Sequence, residues 1–266
     1  MTTSSVTWTQ EMVEVAGTRI NLVKGGSGDP LLVLHDEMGH PGWLRWHEAL
    51  AQNHTLYIPW HPGFGESEPL DWVMNLHDLA VWYLGALDDL GLEGVDVIGF
   101  SLGGWLAAEM AVMNPQQFKR LALVGAAGVR PPEGEIYDIF QVVAKVFITR
   151  SLLNPDAVPE FQAICPDEPS EEQAFNWETS LEGACRLAWR PYMHYPALPN
   201  LLPRLKRLPT LIVTGDQDPI VPPSAAQLYH QSIPNSRLAI IQNCGHRPEV
   251  EQTERFLEVV RGWFGE

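Results

Sequence analysis

Short apolar runs alternate with longer amphipathic stretches along most of the 266-residue chain. The run Leu31–Leu34 is typical of a strand buried on both faces, and the pattern over 75–90 places its apolar residues on one face of a helix. Strands that alternate with helices pair in parallel, because each crossover helix returns the chain to the same edge. We therefore predict an α/β fold with a mostly parallel central sheet flanked by helices. The predicted strands cover 31–34, 55–58, 95–98, 121–124, 211–214 and 238–241, and the predicted helices cover 42–52, 75–90, 102–113, 223–231 and 249–264.

One long segment, 129–203, interrupts this alternation. It contains no clear strand but has apolar helical patches such as Ile136–Ile148, and prolines mark both of its ends. A strandless segment of this size rarely buries enough apolar surface to fold alone. We therefore predict an inserted helical cap that lies over the sheet edge. The predicted core domain then consists of residues 1–128 and 204–266.

The charge balance narrows the classes of partner. With 33 Asp and Glu against 17 Lys and Arg, the formal net charge is −16, so we expect neither nucleic acid nor an anionic membrane surface as a partner. No run reaches the roughly 18 apolar residues of a membrane span, and residues 1–5 lack the basic and apolar segments of a secretory signal. The three cysteines show no metal-ligand spacing. We expect a cytoplasmic protein, monomeric or homodimeric, without a metal or cofactor.

The sharpest local motif is the sequence Gly-Phe-Ser-Leu-Gly at 99–103, which joins a predicted strand to a predicted helix. A sharp turn of this kind strains the serine backbone and lifts the hydroxyl above the carboxyl end of the sheet, where open α/β sheets bind their ligands. The N-terminus of the helix directs N–H groups toward any negative charge there. Ser101 is therefore the candidate nucleophile.

A serine nucleophile needs a base, and the base needs an acid that orients it. His246 lies in the loop that follows the predicted strand 238–241, and Asp218 lies in the loop that follows 211–214. All three side chains would then meet at the carboxyl ends of strands. Asp216 is the alternative acid, because it lies in the same loop as Asp218.

With these residues in the order Ser, Asp and His, the chain resembles the serine hydrolases of the α/β-hydrolase fold superfamily over roughly residues 15–128 and 200–264. The resemblance rests on five local patterns in matching order. They are His35–Gly39, Pro62–Ser67, the serine motif at 99–103, Gly215–Pro222 and Cys244–His246. These patterns are specific for the fold but carry little information about the substrate.

The resemblance implies an oxyanion hole formed by the backbone N–H groups of Glu37 and Leu102, and it places the cap in the insertion 129–203. The chain departs from the family at Asp36, where glycine is usual, and at Arg247, where several carbon–carbon bond hydrolases carry tryptophan. A carboxylate aimed into the hole would oppose the negative charge that develops there. We therefore expect the Asp36 and Glu37 side chains to point away, with a functional acid beside the pocket as the alternative.

The resemblance implies that the serine hydroxyl attacks an ester-type carbonyl, the histidine takes its proton and the aspartate holds the imidazole, with no cofactor. We predict a carboxylesterase that cleaves a small or medium ester. A neutral substrate is favoured, because Asp36, Glu37 and Glu66 fall in loops near the site. The alternatives are a carbon–carbon bond hydrolase of vinylogous diketone acids, a perhydrolase or acyltransferase, and a non-catalytic ligand-binding relative.

Four further residues are candidates for the substrate pocket. The chain has ten tryptophans, which favours a pocket for an aromatic or medium acyl group. An arginine could pair with a substrate carboxylate, which a carbon–carbon bond hydrolase of diketone acids would need. The candidate pocket residues are His35, Trp105, Trp189 and Arg190.

Overall fold

The computed structural model describes residues 6–265, so the interpretation of residues 1–5 lies outside the described part of the chain. The strands of the described part are β1 (Trp8–Val15), β2 (Thr18–Gly26), β3 (Asp29–Leu34), β4 (His54–Pro59), β5 (Val95–Phe100), β6 (Phe118–Val124), β7 (Thr210–Gly215) and β8 (Ser236–Ile241). Its helices are α1 (Arg45–Leu50), α2 (Leu76–Asp89), α3 (Leu102–Met113), α4 (Ala144–Arg150), α5 (Phe161–Ile164), α6 (Glu171–Ala188), α7 (Leu198–Leu201), α8 (Pro223–Ser232), α9 (Pro248–Glu251) and α10 (Thr253–Phe264). Within residues 6–265, none of the helices has the length and apolar character needed to cross a membrane.

The strands form one sheet with the order β1-β2-β4-β3-β5-β6-β7-β8. All neighbours from β4 through β8 pair in parallel, whereas β2 pairs antiparallel with both β1 and β4. The predicted α/β class, with a mostly parallel sheet flanked by helices, is therefore confirmed. All six predicted strands occur, and α3 begins and ends at the predicted residues.

The hairpin β1–β2 is the part of the sheet that the sequence patterns miss. Most side chains of β1 are exposed at the sheet edge, so this strand has no apolar run that would mark it. Ala16 and Gly17 join the two strands with positive φ angles of 46° and 76°, which are typical of a tight two-residue hairpin turn. Turn geometry and backbone pairing therefore define the edge strand β1, whereas β2 has a buried run at 20–23 that the prediction overlooked.

The chain between β6 and β7 forms helices α4 to α7 and short 3₁₀ turns, and no named strand lies in this described stretch. The apolar patch 136–148 is not one continuous helix, which corrects the prediction. A 3₁₀ turn at Ile139–Gln141 is separated from α4 by Val142 and Val143, which have extended backbone. Two consecutive β-branched residues disfavour the helix at this point. Likewise, the predicted helix 249–264 is divided at Gln252 into α9 and α10.

Helix α3 packs against the carboxyl ends of β3 and β5 with almost no space between the backbones. A Cβ atom on Gly103 would lie 2.2 Å from the Leu34 carbonyl oxygen and 2.4 Å from that of His35. A Cβ on Gly99 would lie 2.3 Å from the Gly103 carbonyl oxygen. Only glycine fits at these two positions, because no side chain can occupy backbone atoms. The start of α3 is thereby fixed beside the end of β3.

The winding direction of the sheet reverses at β3, because β4 lies on one side of it and β5 on the other. Leu34 of β3 pairs with Gly99 of β5, so the loops after these two strands leave the sheet side by side. A reversal of this kind opens a crevice at the carboxyl ends of the strands, where ligands bind in open α/β sheets. The two loops bring Glu37 and Ser101 to this crevice.

We predict that Gly103→Ala destabilises the fold by about 1–3 kcal/mol or more, because the added methyl group overlaps carbonyl oxygens at the end of β3. Gly85→Ala in α2 is the matched control, since a Cβ there meets no atom within 4 Å. Alanine should stabilise that helix interior by about 0.5–1 kcal/mol. Urea unfolding of both variants measures the changes, and equal stabilities would contradict the close packing of α3 on β3.

Candidate active site

Ser101 stands between β5 and α3 in a backbone conformation that few non-glycine residues adopt. Its φ is 46° and its ψ is −109°, a strained region that persists only where surrounding contacts hold it. The Ser101 N–H donates to the Val124 carbonyl at 2.9 Å. Its own carbonyl accepts from the N–H groups of Trp105 and Ala127 at 3.1 and 3.2 Å. These hydrogen bonds fix a turn in which the residue is only 2% exposed.

His246 and Asp218 lie against each other in the loops after β8 and β7. Nδ1 of His246 is 2.7 Å from Oδ2 of Asp218. The other Asp218 oxygen accepts two backbone N–H groups of its own loop at 2.8 and 2.9 Å. Asp216 instead accepts the Cys244 N–H at 3.1 Å. Asp218, rather than Asp216, is therefore the carboxylate that contacts the histidine, and its loop holds it in that orientation.

The second ring nitrogen of His246, Nε2, is buried and has no hydrogen-bond partner among residues 6–265. The backbone of the same histidine is anchored from the insertion, because its N–H donates to the Ser151 carbonyl at 2.7 Å. Glu251 holds the preceding residue, since its carboxylate accepts the Gly245 N–H at 2.6 Å. Nε2 thus remains free to accept a proton while the rest of the residue is held.

The Glu37 side chain points inward, contrary to the prediction that it turns away. The Ser101 hydroxyl donates to its Oε1 at 3.2 Å, and the Leu102 N–H donates to its Oε2 at 3.4 Å. The backbone N–H of Glu37 also interacts with this carboxyl group, which is fully buried. These donors offset the cost of removing the carboxyl from water. The two N–H groups predicted to form the oxyanion hole therefore face a carboxyl group of the protein itself.

Asp36 does turn away from the serine, and it forms a buried ion pair with Arg247. Oδ2 of Asp36 is 2.7 Å from Nη2 of Arg247, a charge contact without hydrogen-bond alignment. Oδ1 of Asp36 accepts the Met38 N–H at 2.8 Å, and Nε of Arg247 donates to the Ser151 hydroxyl at 3.0 Å. The pair links the loop after β3, the loop after β8 and the insertion. Sequence reasoning missed it, although opposite charges in two loops at one sheet edge were an available signal.

The protonation of Glu37 and that of His246 are linked. Burial raises the pKa of Glu37, the charge of Asp36 raises it further, and His246 and Arg247 lower it in part. Burial lowers the pKa of His246, but the charge and hydrogen bond of Asp218, together with Glu37, reverse this and raise it above its ordinary value. Each of the two groups thus favours the charged form of the other.

A model of the alpha/beta hydrolase fold matches residues 22–248 of the chain. The chain belongs to the α/β-hydrolase fold family. The matched range includes the serine turn and the loops that carry Asp218 and His246. The resemblance inferred from the sequence is therefore confirmed at the level of the family.

Three proteins illustrate what this α/β-hydrolase is similar to. A 2-hydroxymuconate semialdehyde hydrolase of Pseudomonas sp. (strain CF600) is 29% identical over 269 residues, which cover 94% of this chain and 92% of the relative. A solved membrane phospholipase A, described as a bacterial virulence factor, has a TM-score of 0.81 at 22% identity and covers 97% of this chain and 86% of its own. A solved thermophilic esterase from Thermogutta terrifontis has a TM-score of 0.72 at 26% identity and covers 96% of this chain and 98% of its own. The phospholipase likeness supports the fold alone.

His35 holds two loops of this α/β-hydrolase together, and its role in a substrate pocket stays a prediction. Its Nδ1 is 2.7 Å from the Asp36 carbonyl oxygen, and its Nε2 accepts the His61 N–H at 3.0 Å. Burial lowers its pKa to about 4, so the ring is neutral at physiological pH. Both nitrogens are occupied by backbone groups, and the ring ties the loops after β3 and β4 together.

The structure does not place the other three predicted pocket residues around the serine. Trp105 and Arg190 line a cavity of about 290 Å³ that includes neither Ser101 nor His246. The indole N–H of Trp105 donates to a buried carboxylate at 3.1 Å. Trp189 is 55% exposed at the surface of the insertion. Trp105 and Arg190 thus line one cavity together, and the role of these residues in a substrate pocket stays a prediction.

A different cavity, of about 260 Å³, borders the site between the loop after β3 and the insertion. Its lining includes Met38 and Arg247, the chain neighbours of Glu37 and His246, and Trp177 of α6. Within residues 6–265, no group of three or more His, Cys, Asp or Glu side chains is arranged to hold a metal ion. Like the cavity beside Trp105, this one includes neither Ser101 nor His246 in its lining, so it borders the candidate site rather than containing it.

Glu249 should make the stability of the protein depend on pH, because it is buried and its Oε2 has no hydrogen-bond partner in the described chain. Burial raises its pKa from 4.5 to about 7, opposed in part by Arg247. The folded state favours the neutral form, so stability should fall as the pH rises from about 4.5 to about 7 and stay low above that. At about 1.4 kcal/mol per pKa unit, the loss is at most about 3–4 kcal/mol.

Glu249→Gln should remove this loss and make the protein more stable than the wild type at about pH 8 but not at about pH 4. Urea unfolding of both proteins at the two pH values gives the difference in free energy of unfolding. An equal difference at both pH values would show that Glu249 does not titrate in the folded protein as described.

Proposed function

We propose that this protein is a serine hydrolase in which Ser101 is the nucleophile, His246 is the base and Asp218 orients the base. The observation that carries the proposal is the 2.7 Å contact between His246 and Asp218 at the sheet edge that also presents a serine in a strained strand-to-helix turn. We further propose that the insertion 129–203 is the cap of the site, since Ser151 contacts the His246 backbone.

In this mechanism, the Ser101 oxygen attacks the substrate carbonyl carbon while its proton passes to His246 Nε2. Asp218 accepts a hydrogen bond from Nδ1–H of His246 and stabilises the imidazolium that forms. The N–H groups of Glu37 and Leu102 bind the oxyanion, and each such donor typically contributes about 3–4 kcal/mol to lowering the barrier. The histidine then protonates the leaving group. A water molecule repeats the cycle on the acyl-enzyme and releases the acid.

For the substrate, we propose first a vinylogous diketone acid whose carbon–carbon bond next to a ketone is hydrolysed. The 2-hydroxymuconate semialdehyde hydrolase supports this choice, because it aligns with nearly the whole length of both chains. A carbon leaving group must be protonated as the bond breaks, so the reaction suits a site with more than one titratable group. His246 can supply that proton, and Glu37 beside it is a second group, whose protonation is linked to that of the histidine.

A neutral carboxylic ester is the second candidate, favoured by the charges around the serine. Asp36, Glu37 and Glu249 are all buried in this region, and Arg247 is already paired with Asp36. A substrate carboxylate would therefore find the nearby cation already paired, whereas a neutral ester needs no cation. The 26% identical thermophilic esterase also supports this candidate.

The assay that separates these candidates compares kcat/KM for a vinylogous diketone acid with kcat/KM for p-nitrophenyl acetate. We expect turnover of at least one substrate, and Ser101→Ala should lose about 10⁴-fold or more of it. A fluorophosphonate probe should label the wild type and not this variant. Equal activity of Ser101→Ala and wild type would overturn the nucleophile, and a strong preference for either substrate decides between the two classes.

Asp218→Asn should lower kcat by roughly 10⁴, because the amide favours the wrong imidazole tautomer. Asp216→Asn is the matched control, since its amide oxygen can still accept the Cys244 N–H, and it should change kcat by less than about tenfold. Both values come from the same steady-state assay. A larger loss in Asp216→Asn than in Asp218→Asn would reverse the assignment.

A further inference from the structure

The carboxyl group of Glu37 occupies the place that the substrate oxyanion would take. The Leu102 N–H donates to Oε2 at 3.4 Å, and the Glu37 backbone N–H interacts with the same group. A substrate carbonyl oxygen needs these same two donors when it becomes negatively charged. Glu37 and the substrate therefore compete for one set of hydrogen bonds.

Glu37 also engages the nucleophile. The Ser101 hydroxyl donates to Oε1 at 3.2 Å, while Nε2 of His246 has no partner among the described residues. For attack on a carbonyl, this hydroxyl proton must instead pass to the histidine. The side chain of Glu37 thus occupies both the oxyanion donors and the serine hydroxyl, so neither is available to the substrate.

The charge of Glu37 decides how firmly it holds them. N–H and O–H donors bind an ionised carboxylate roughly twice as strongly as a neutral group. A carboxylate left beside a developing oxyanion would also oppose its charge. A protonated Glu37 has neither effect, because its hydrogen bonds are weaker and it bears no charge.

We propose that Glu37 gates the oxyanion hole: as a carboxylate it fills the hole and holds Ser101, and as a neutral acid it yields both donors to the substrate. The gate rests on the proposed role of Ser101 as the nucleophile. When the gate is open, the Ser101 oxygen bonds to the carbonyl carbon, the carbonyl electron pair moves to oxygen, and the hydroxyl proton goes to His246 Nε2. That proton then leaves with the departing group, while Glu37 keeps its own proton throughout.

Charged and titratable groups face the Glu37 carboxyl from three segments. Asp36 lies on the same loop, His246 and Arg247 come from the loop after β8, and Tyr192 comes from the insertion. Asp36 is paired with Arg247, and burial raises the pKa of Tyr192 so that its phenol stays neutral. His246 is therefore the group whose protonation is tied to that of Glu37.

A gate of this kind gives acylation a distinctive pH dependence. Attack needs a neutral His246 and a neutral Glu37, which together carry one proton. The rate should rise with pH as the pair loses its first proton and fall as it loses the second. Glutamine cannot ionise, so the acylation rate of Glu37→Gln should rise with pH to a plateau and should not fall at alkaline pH.

The test measures the second-order rate of labelling of Ser101 by a neutral fluorophosphonate probe between about pH 5 and about pH 9. The proteins are wild type, Glu37→Gln, Glu37→Ala, Ser101→Ala as the blank, and Glu249→Gln. Glu249 is the matched control, because it is a second buried carboxyl, its pKa is about 7, and no hydrogen bond joins it to Ser101. Thermal unfolding checks that each variant folds. If Glu37→Gln does not fold, Glu37→Ala replaces it in the comparison.

We expect a bell-shaped profile for the wild type and for Glu249→Gln, and a plateau for both Glu37 variants. One pH unit above the alkaline midpoint of the wild type, Glu37→Gln should react about tenfold faster, since a single ionisation costs a factor of about ten per unit. An alkaline fall that persists in both Glu37 variants, or that disappears in Glu249→Gln, overturns the gate alone. No labelling of Ser101 in any protein overturns the nucleophile itself, and the gate with it.

Discussion

The contact between two stretches of backbone, the start of α3 and the end of β3, determines the geometry of the site. Gly103 allows this contact because a Cβ atom there would lie 2.2 Å from the Leu34 carbonyl oxygen. The contact brings the loop after β3 against the serine turn, and it aims the first N–H groups of α3 at that loop. Any group that enters between the two loops therefore meets the Leu102 N–H and the Ser101 hydroxyl together. In the folded chain, that group is the carboxyl of Glu37.

The sequence predicts those strands and helices that are marked by a clear apolar run or by a local motif. Buried parallel strands such as β5 are mostly apolar runs, and α3 begins directly after Ser101 and ends at Met113, just before Asn114 and a proline. The edge strand β1 was missed because it buries little surface. The extended pair Val142 and Val143 was missed because both residues fit an apolar helical pattern.

Within the candidate site, sequence order predicts the serine, the histidine and the loop of the acid, but not the directions of the charged side chains. The choice of Asp218 over Asp216 is a matter of which carboxylate its loop turns toward His246. Glu37 points inward because donors of the serine turn, 64 residues away along the chain, compensate its burial. Electrostatic repulsion considered alone, without those donors, led to the opposite expectation.

The contacts of Ser151 have a consequence for how such a protein could be altered. Its carbonyl accepts the His246 N–H and its hydroxyl accepts from Arg247, and Glu251 accepts the N–H groups of Leu153 and Asn154. The inserted segment is thus joined to the histidine loop by main-chain hydrogen bonds as well as by packing. It is not an exchangeable module: grafting another insertion onto this core, to change substrate range, would also shift the imidazole unless residues 151–154 were retained.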